Sequence, residues 1–273
     1  MTNYHSNGLG GTSGSRIATA SNIISSGSVY YVSSVSGDAA YDGTSRLYPK
    51  ALFSQANSLV SDGDIIVLLA DHSETIASKV TISDKIFIVG EGSQNGQPTV
   101  EFKKGLSSSD IFRINSEDVK FENVKFTSPD SAASGGYLEV DKGGTSFRGC
   151  RFEFNGNNNA RGVEIANALS CIEFKNCVFV STGAEGTNIP RPAVEVGSNV
   201  SGLILDGCTF DGGLVGFEDS SNNPYAFDAT SGGIDSLEIY GLSVLNGTQV
   251  ALHENTTGLA ANVTSSVGGK LVF

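Results

Sequence analysis

The chain has 273 residues, 39% apolar and 17% charged, enough apolar surface for a sizeable core and too little charge for a disordered segment. Its 29 acidic residues outnumber 17 basic ones, for a formal charge of −12, so its averaged surface repels phosphate backbones and nucleic acid is a poor candidate partner. No apolar run approaches the roughly 20 residues of a membrane helix, so membrane contact is not expected and the chain reads as soluble.

Residues 1–28 are dominated by Gly, Ser, Thr and Asn, with isolated apolar residues at Leu9, Ile17, Ile23 and Ile24. Such a stretch cannot fold alone, and it reads as an anchoring arm ordered by whatever it touches. It lacks the basic-then-apolar pattern of a secretion signal, so synthesis in a reducing cytoplasm is the expectation. The ordered part, 29–250, opens with YYVSS (30–34). A short helix is expected from about Lys50 to Leu59, capping the open end of a stack of strands, and then a buried strand within DGDIIVLLA (62–70).

From here the chain repeats. VKFENVKF (119–126), TSFRGCRF (145–152), IEFKNCVF (172–179), LILDGCTF (203–210) and LEIYGLSV (237–244) each read as strand, corner, strand. The corners fall at Asn123, Gly149, Asn176, Gly207 and Gly241, residue types that tolerate a left-handed backbone. Alternation points Phe121, Phe147, Phe174, Leu205 and Ile239 inward, and Glu122, Arg148, Lys175 and Asp206 outward. After the corner, Cys150, Cys177 and Cys208 share one inward position, and Phe126, Phe152, Phe179 and Phe210 the next. These cysteines form no CxxC pair, and the histidines are only His5, His72 and His253, so neither metal nor cofactor is expected.

Upstream of each copy lies a further strand, IFRI (111–114), YLEV (137–140), GVEI (162–165), AVEV (193–196) and, less regularly, YAFD (225–228). The spacing of the repeat lies in the 20–50 residue range of solenoids, and its growth along the chain implies loops inserted at 181–192 and 211–224. The fold class is therefore all-β, a right-handed parallel β-helix solenoid, with the C-terminal segment 251–273 closing the far end. Leucine-rich repeats and propeller blades demand other consensus patterns and periods.

The stretches GDAAYDGTSRLYPKA (37–51), DGDIIVLLADHSETI (62–76) and KIFIVGEGSQNGQPTVEF (85–102) resemble the opening of pectin-lyase-like β-helix proteins, and more narrowly that of β-helix virion proteins of tailed bacteriophages. The resemblance covers about 30–250. It implies a structural protein of a phage particle, made in the bacterial cytoplasm and residing in the virion as a homo-oligomer such as a trimer, with other capsid or tail proteins as partners. The paired Asp motifs, His-Gly and Arg-x-Lys elements of pectin-degrading hydrolases are missing from this sequence, and no arginine follows Arg191. The expectation is thus a decoration, cement or fibre subunit without enzymatic activity and with no catalytic residue.

One surface feature could carry chemistry. The outward position of the upstream strand holds Arg113, Glu139, Glu164 and Glu195 on four successive coils, where in-register neighbours stand about 5 Å apart. Carboxylates so spaced could pair across a glycosidic bond or bind an ion, which makes a host surface glycan a second candidate partner and a tailspike-like, glycan-binding or glycan-degrading protein the alternative. The plain reading of the same row is a solvated acidic stripe.

Overall fold

The computed structural model describes residues 27–106, 109–127, 135–154, 160–181, 193–197, 199–211, 227–229, 237–244, 249–251, 260–265 and 270–272. Five corners set its geometry. Asn123, Gly149, Asn176, Gly207 and Gly241 have φ of 57°, 59°, 51°, 65° and 58°, the left-handed region that Asn and Gly enter most cheaply. Each corner turns the chain from a strand on the first side of the coil to one on the second.

The first side stacks Val29–Val32, Ile65–Leu68, Phe87–Gly90, Lys120–Glu122, Ser146–Arg148, Ser170–Lys175, Ser201–Asp206 and Leu237–Val244. The second stacks Ser73–Ile76, Glu101–Lys104, Lys125–Thr127, Arg151–Phe154, Val178–Ser181 and Thr209–Asp211, and joins the first through Leu237–Val244, which bends at Gly241 and pairs with both. The third is a six-stranded sheet of Val80–Ile82, Phe112–Ile114, Gly135–Val140, Ala160–Ile165, Val194–Val196 and Phe227–Ala229. Pairing between coils is parallel throughout these sheets. Parallel crossovers are right-handed in nearly all proteins, and the fold is the parallel β-helix the sequence predicts.

The expected register holds. Phe121, Phe147, Phe174, Leu205 and Ile239 pair in one row and Phe126, Phe152, Phe179 and Phe210 in another, and all are buried. Cys150, Cys177 and Cys208 are free, buried thiols donating to the carbonyls of Phe121, Phe147 and Phe174 at 3.6, 3.4 and 3.4 Å. Burial foremost, then the flanking thiols, pushes the Cys177 thiol well above its ordinary value. The side chains of Leu242 and Val244 lie outside the described residues.

The helix is Phe53–Asn57, shorter than expected at both ends. Lys50 is drawn away by the sheet: its amide donates to Tyr31 and its carbonyl accepts from Ser33. At the other end the Ser58 hydroxyl takes the Gln55 carbonyl at 2.8 Å and closes the helix. The helix does seat on the coil interior, where Phe53 meets Phe102 and Phe112 edge to face. Protection of the free edge of Val29–Val32 falls instead to residues 43–50, since Tyr31 N donates to Gly43 O and Ser33 N to Lys50 O at 2.7 and 2.9 Å.

Three further findings differ from the pattern. The third side begins one coil earlier than predicted, at Val80–Ile82. A two-residue hairpin, Ser93–Gln94 with Gln97–Pro98, leaves the coil between its first and second sides through Asn95-Gly96. The segment expected to close the far end contributes Ala260–Ser265, which continues the parallel pairing on Leu237–Val244. Residues 1–26 of the expected arm and most of the expected loops 181–192 and 211–224 lie outside the described residues.

Candidate binding surface

The outward row of the third side is built by strict alternation: Phe112 and Ile114, Leu138 and Val140, Val163 and Ile165, and Val194 and Val196 are buried, leaving Arg113, Glu139, Glu164 and Glu195 to point outward between them. Register brings all four together. Arg113 pairs with Glu139, Glu139 with Glu164, and Glu164 with Glu195. The row also extends beyond the predicted residues, to Thr81 before Arg113 and to Asp228 after Glu195. Aligning YAFD on its first apolar residue hid Asp228, because the strand is Phe227–Ala229, one position on.

This row is a gradient of charge rather than a uniform acidic stripe. At its N-terminal end Lys79 forms ion pairs with Glu139 and, at 3.7 Å, with Asp110. Arg113 bonds Asp141 and stands 3.9 Å from Glu139, and hydrogen bonding to Asp141 raises the Arg113 pKa further above its ordinary value. Toward the C-terminal end the register positions are Glu164, Glu195 and Asp228. Lys79, Asp110 and Asp141 were missed from sequence because they sit in the turns flanking the strands, where alternation assigns no side; the matching of KVTI (79–82) with IFRI (111–114) was the available signal.

Among the described residues no group of three or more His, Cys, Asp or Glu is arranged to hold a metal ion. The row offers alternate-sign charges at strand spacing, about 5 Å apart along the solenoid, which suits a ligand presenting repeated polar groups. The second outward row, Glu122, Arg148, Lys175 and Asp206, is also in register. It is laced across coils by Arg148 with Glu173 at 2.9 Å and Lys175 with Asp206 at 2.5 Å, the pairing expected of a row that fixes register.

His72 and Glu74, in the turn of the family-like opening, are not surface residues. His72 is fully buried, its Nε2 lies 3.1 Å from Glu74 Oε2, and the same carboxylate oxygen accepts the Phe53 amide at 2.7 Å. The pair joins the first complete coil to the helix that covers it.

Comparison with known proteins supports the fold. No protein-family model matches the chain, and no curated protein matches it. Among solved structures it is similar to a rhamnogalacturonan lyase, with a TM-score of 0.54 and 14% identity over 90% of this chain. The chain spans 62% of that protein's length. A pectin methylesterase from Aspergillus niger matches with a TM-score of 0.40 and 13% identity, over 89% of this chain and 83% of that one. A pectate lyase matches with a TM-score of 0.26 and 16% identity, over 86% and 78%. The fold is the pectin-lyase-like parallel β-helix.

The same comparison corrects the expectation that the chain is not an enzyme. All three similar structures carry the names of enzymes, and the one at the highest TM-score is named a lyase. The absence of the hydrolases' Asp, His-Gly and Arg-x-Lys elements removes one catalytic arrangement from a fold that hosts several, and so does not exclude catalysis.

Proposed function

We propose that the chain is a structural component of a tailed-bacteriophage particle, a decoration, cement or fibre subunit whose solenoid projects from head or tail and whose N-terminal residues hold it there. The observation that carries this reading is the resemblance of 37–102 to the opening of phage β-helix virion proteins. Its support in the structure is that this same stretch supplies the closed end of the solenoid: the covered edge of Val29–Val32, the helix Phe53–Asn57 and the buried His72–Glu74 pair. An end finished in this way leaves 1–26 as the part free to meet another protein, and a homotrimer is the assembly proposed. Density-gradient purification of the phage that encodes the chain, followed by mass spectrometry of the particles, tests the reading. The chain is expected to co-purify with capsid or tail proteins; recovery only from the cleared host lysate overturns it.

A second reading, contact with a host surface polysaccharide along Arg113, Glu139, Glu164 and Glu195, is favoured by the fold shared with the protein named rhamnogalacturonan lyase and by the graded charge of that row. Particle attachment and action on a glycan are compatible in one β-helix. Under this reading immobilised host polysaccharide retains the chain, and Glu164→Ala with Glu195→Ala weakens retention. Equal retention of both proteins removes the row from consideration. Release of reducing ends on incubation distinguishes cleavage from binding.

A further inference from the structure

On the first side of the three leading coils, the outward face is apolar. Two register rows, Val29, Ile65 and Phe87, and Tyr31, Val67 and Val89, run across it, and on the next coil they meet Lys120 and Glu122. Tyr31, Ile65, Val67, Phe87 and Val89 form a cluster separate from the core, yet each is only 1–8% exposed. Among the described residues, the other apolar side chains packed on it are Val29 and Leu69, members of the same chain segments and not a layer above them. Arg46 lies over the Tyr31 ring at 5.6 Å and pairs with Glu91 across the strip, holding one end of it. What covers the other end, around Ile65 and Phe87, comes from elsewhere.

We propose that residues 17–26 of this same chain seat on that strip. The chain enters at the open end: Ser28 N bonds Asp64 Oδ1 at 2.5 Å, Ile65 N bonds Ser28 O at 2.9 Å, and a side chain at Gly27 would strike the Gly63 carbonyl. Immediately before that point the sequence IATASNIISSG (17–27) has no charged residue and carries Ile17, Ile23 and Ile24. Burying it therefore desolvates no ion and covers apolar surface that a protein of this size otherwise leaves exposed as an interaction patch. Ten extended residues reach at most about 35 Å, ample for a strip three strands wide at about 4.8 Å per strand. The segment seats by its side chains and not as an added strand, because Gly43 and Lys50 already occupy the free edge of Val29–Val32. Residues 1–16 are then the part of the arm left to reach a partner. This seating is independent of whether the chain belongs to a virion.

Limited digestion of the full chain with a broad-specificity protease, read by intact mass, tests it. The protected product is expected to begin at or before Ile17, and trypsin is expected to cut after Arg16 without loosening the fold. In full-length Ile23→Asp/Ile24→Asp the protected product should begin near Gly27, with a several-fold rise in the fluorescence of a dye that binds apolar surface; Leu9→Asp should behave as the parent. A parent product beginning at Gly27 without dye binding overturns the proposal. So does protection of 17–26 that appears only at concentrations where light scattering shows a dimer or trimer, since the strip would then be covered by a second copy.

Discussion

The central coils and the N-terminal end fill the same triangular interior with phenylalanine in two different ways. In the centre, Phe126, Phe152, Phe179 and Phe210 stack with ring centroids 5.0, 4.8 and 4.6 Å apart and planes within 10° of parallel. At the end, Phe53, Phe102 and Phe112 meet at 69–85°. The reason is translation. Where each coil repeats the last at the strand spacing, equivalent side chains inherit that spacing and the same rotamer, so rings can only stack. Where the repeat stops, a helix replaces the missing coil, and its ring enters from another direction and finds the edge-to-face arrangement. The outer surface divides at nearly the same place, apolar on the first three coils and ion-paired from Lys120 onward.

The largest effect is expected in the stacked centre. Phe152 is stacked on both Phe126 and Phe179 and also touches Phe147 and Tyr137, so Phe152→Ala opens a cavity that neighbouring coils cannot close without losing register. A loss of about 3–5 kcal/mol in denaturant unfolding is expected. A near-neutral result would mean that the stacked column is a consequence of the fold and not one of its supports.

The capped end depends on a different kind of contact. Glu74, almost fully buried, holds both the Phe53 amide and the His72 ring. Glu74→Ala leaves a buried amide and an imidazole without their shared acceptor, and a charge-assisted bond of this kind contributes about 2–3 kcal/mol. Hydrogen exchange should localise the loss to the first coil, leaving protection at Phe147–Cys177 unchanged. A uniform loss along the solenoid would show that cap and centre unfold as one unit and that the two regions differ in geometry only.

The same division decided what could be read from sequence. In the centre the corner residues, the inward rows and the thiol ladder were all legible, since one alignment of VKFENVKF-type segments determines every one of them. At the end no second copy exists to align with. No pattern in the residues signalled that Lys50 would leave the helix for the edge of Val29–Val32, or that Ile65–Leu68 and Phe87–Gly90 would be apolar on both sides. The candidate row was legible in its strands and illegible in its turns, which is why Arg113 to Glu195 were found while Lys79 and Asp141, which neutralise its first half, were not.

A smaller effect is expected where the repeat carries a local defect. Cys171 is exposed at φ 60°, beside Gly202 of the next coil at φ 65°. A side chain in the left-handed region costs about 1–2 kcal/mol, offset in part by the greater unfolded freedom of glycine. Cys171→Gly should therefore stabilise by about 1 kcal/mol. It should also abolish the thiol that reacts in the folded state, leaving Cys150, Cys177 and Cys208 to react with an aromatic disulfide reagent only on unfolding. Fast labelling of those three in the folded protein would contradict the burial of the ladder.

The smallest effect tests the boundary itself. Glu101, on the second side, takes a hydrogen bond from Ser73 of the coil before it at 3.3 Å, and from Thr127 and Lys125 of the coil after it at 2.9 and 3.1 Å. Partial burial pushes its pKa up, but the bonds from Thr127 and Lys125 and the charges of Lys125 and Lys103 outweigh it, and the net shift is below the ordinary 4.5. A carboxyl whose folded pKa is depressed contributes stability that is present above the ordinary value and is lost as pH falls through the folded one. Melting temperature should therefore fall as the pH drops below 4.5. In Glu101→Gln, which keeps the shape but has no proton to take up, that part of the fall should be missing and the acid limb shallower. Adding Thr127→Lys to that variant should not restore it, since the bond lost is to a carboxylate that is no longer there. An identical acid limb in parent and variant would show that the junction between the capped end and the stacked centre is held by the backbone ladder alone.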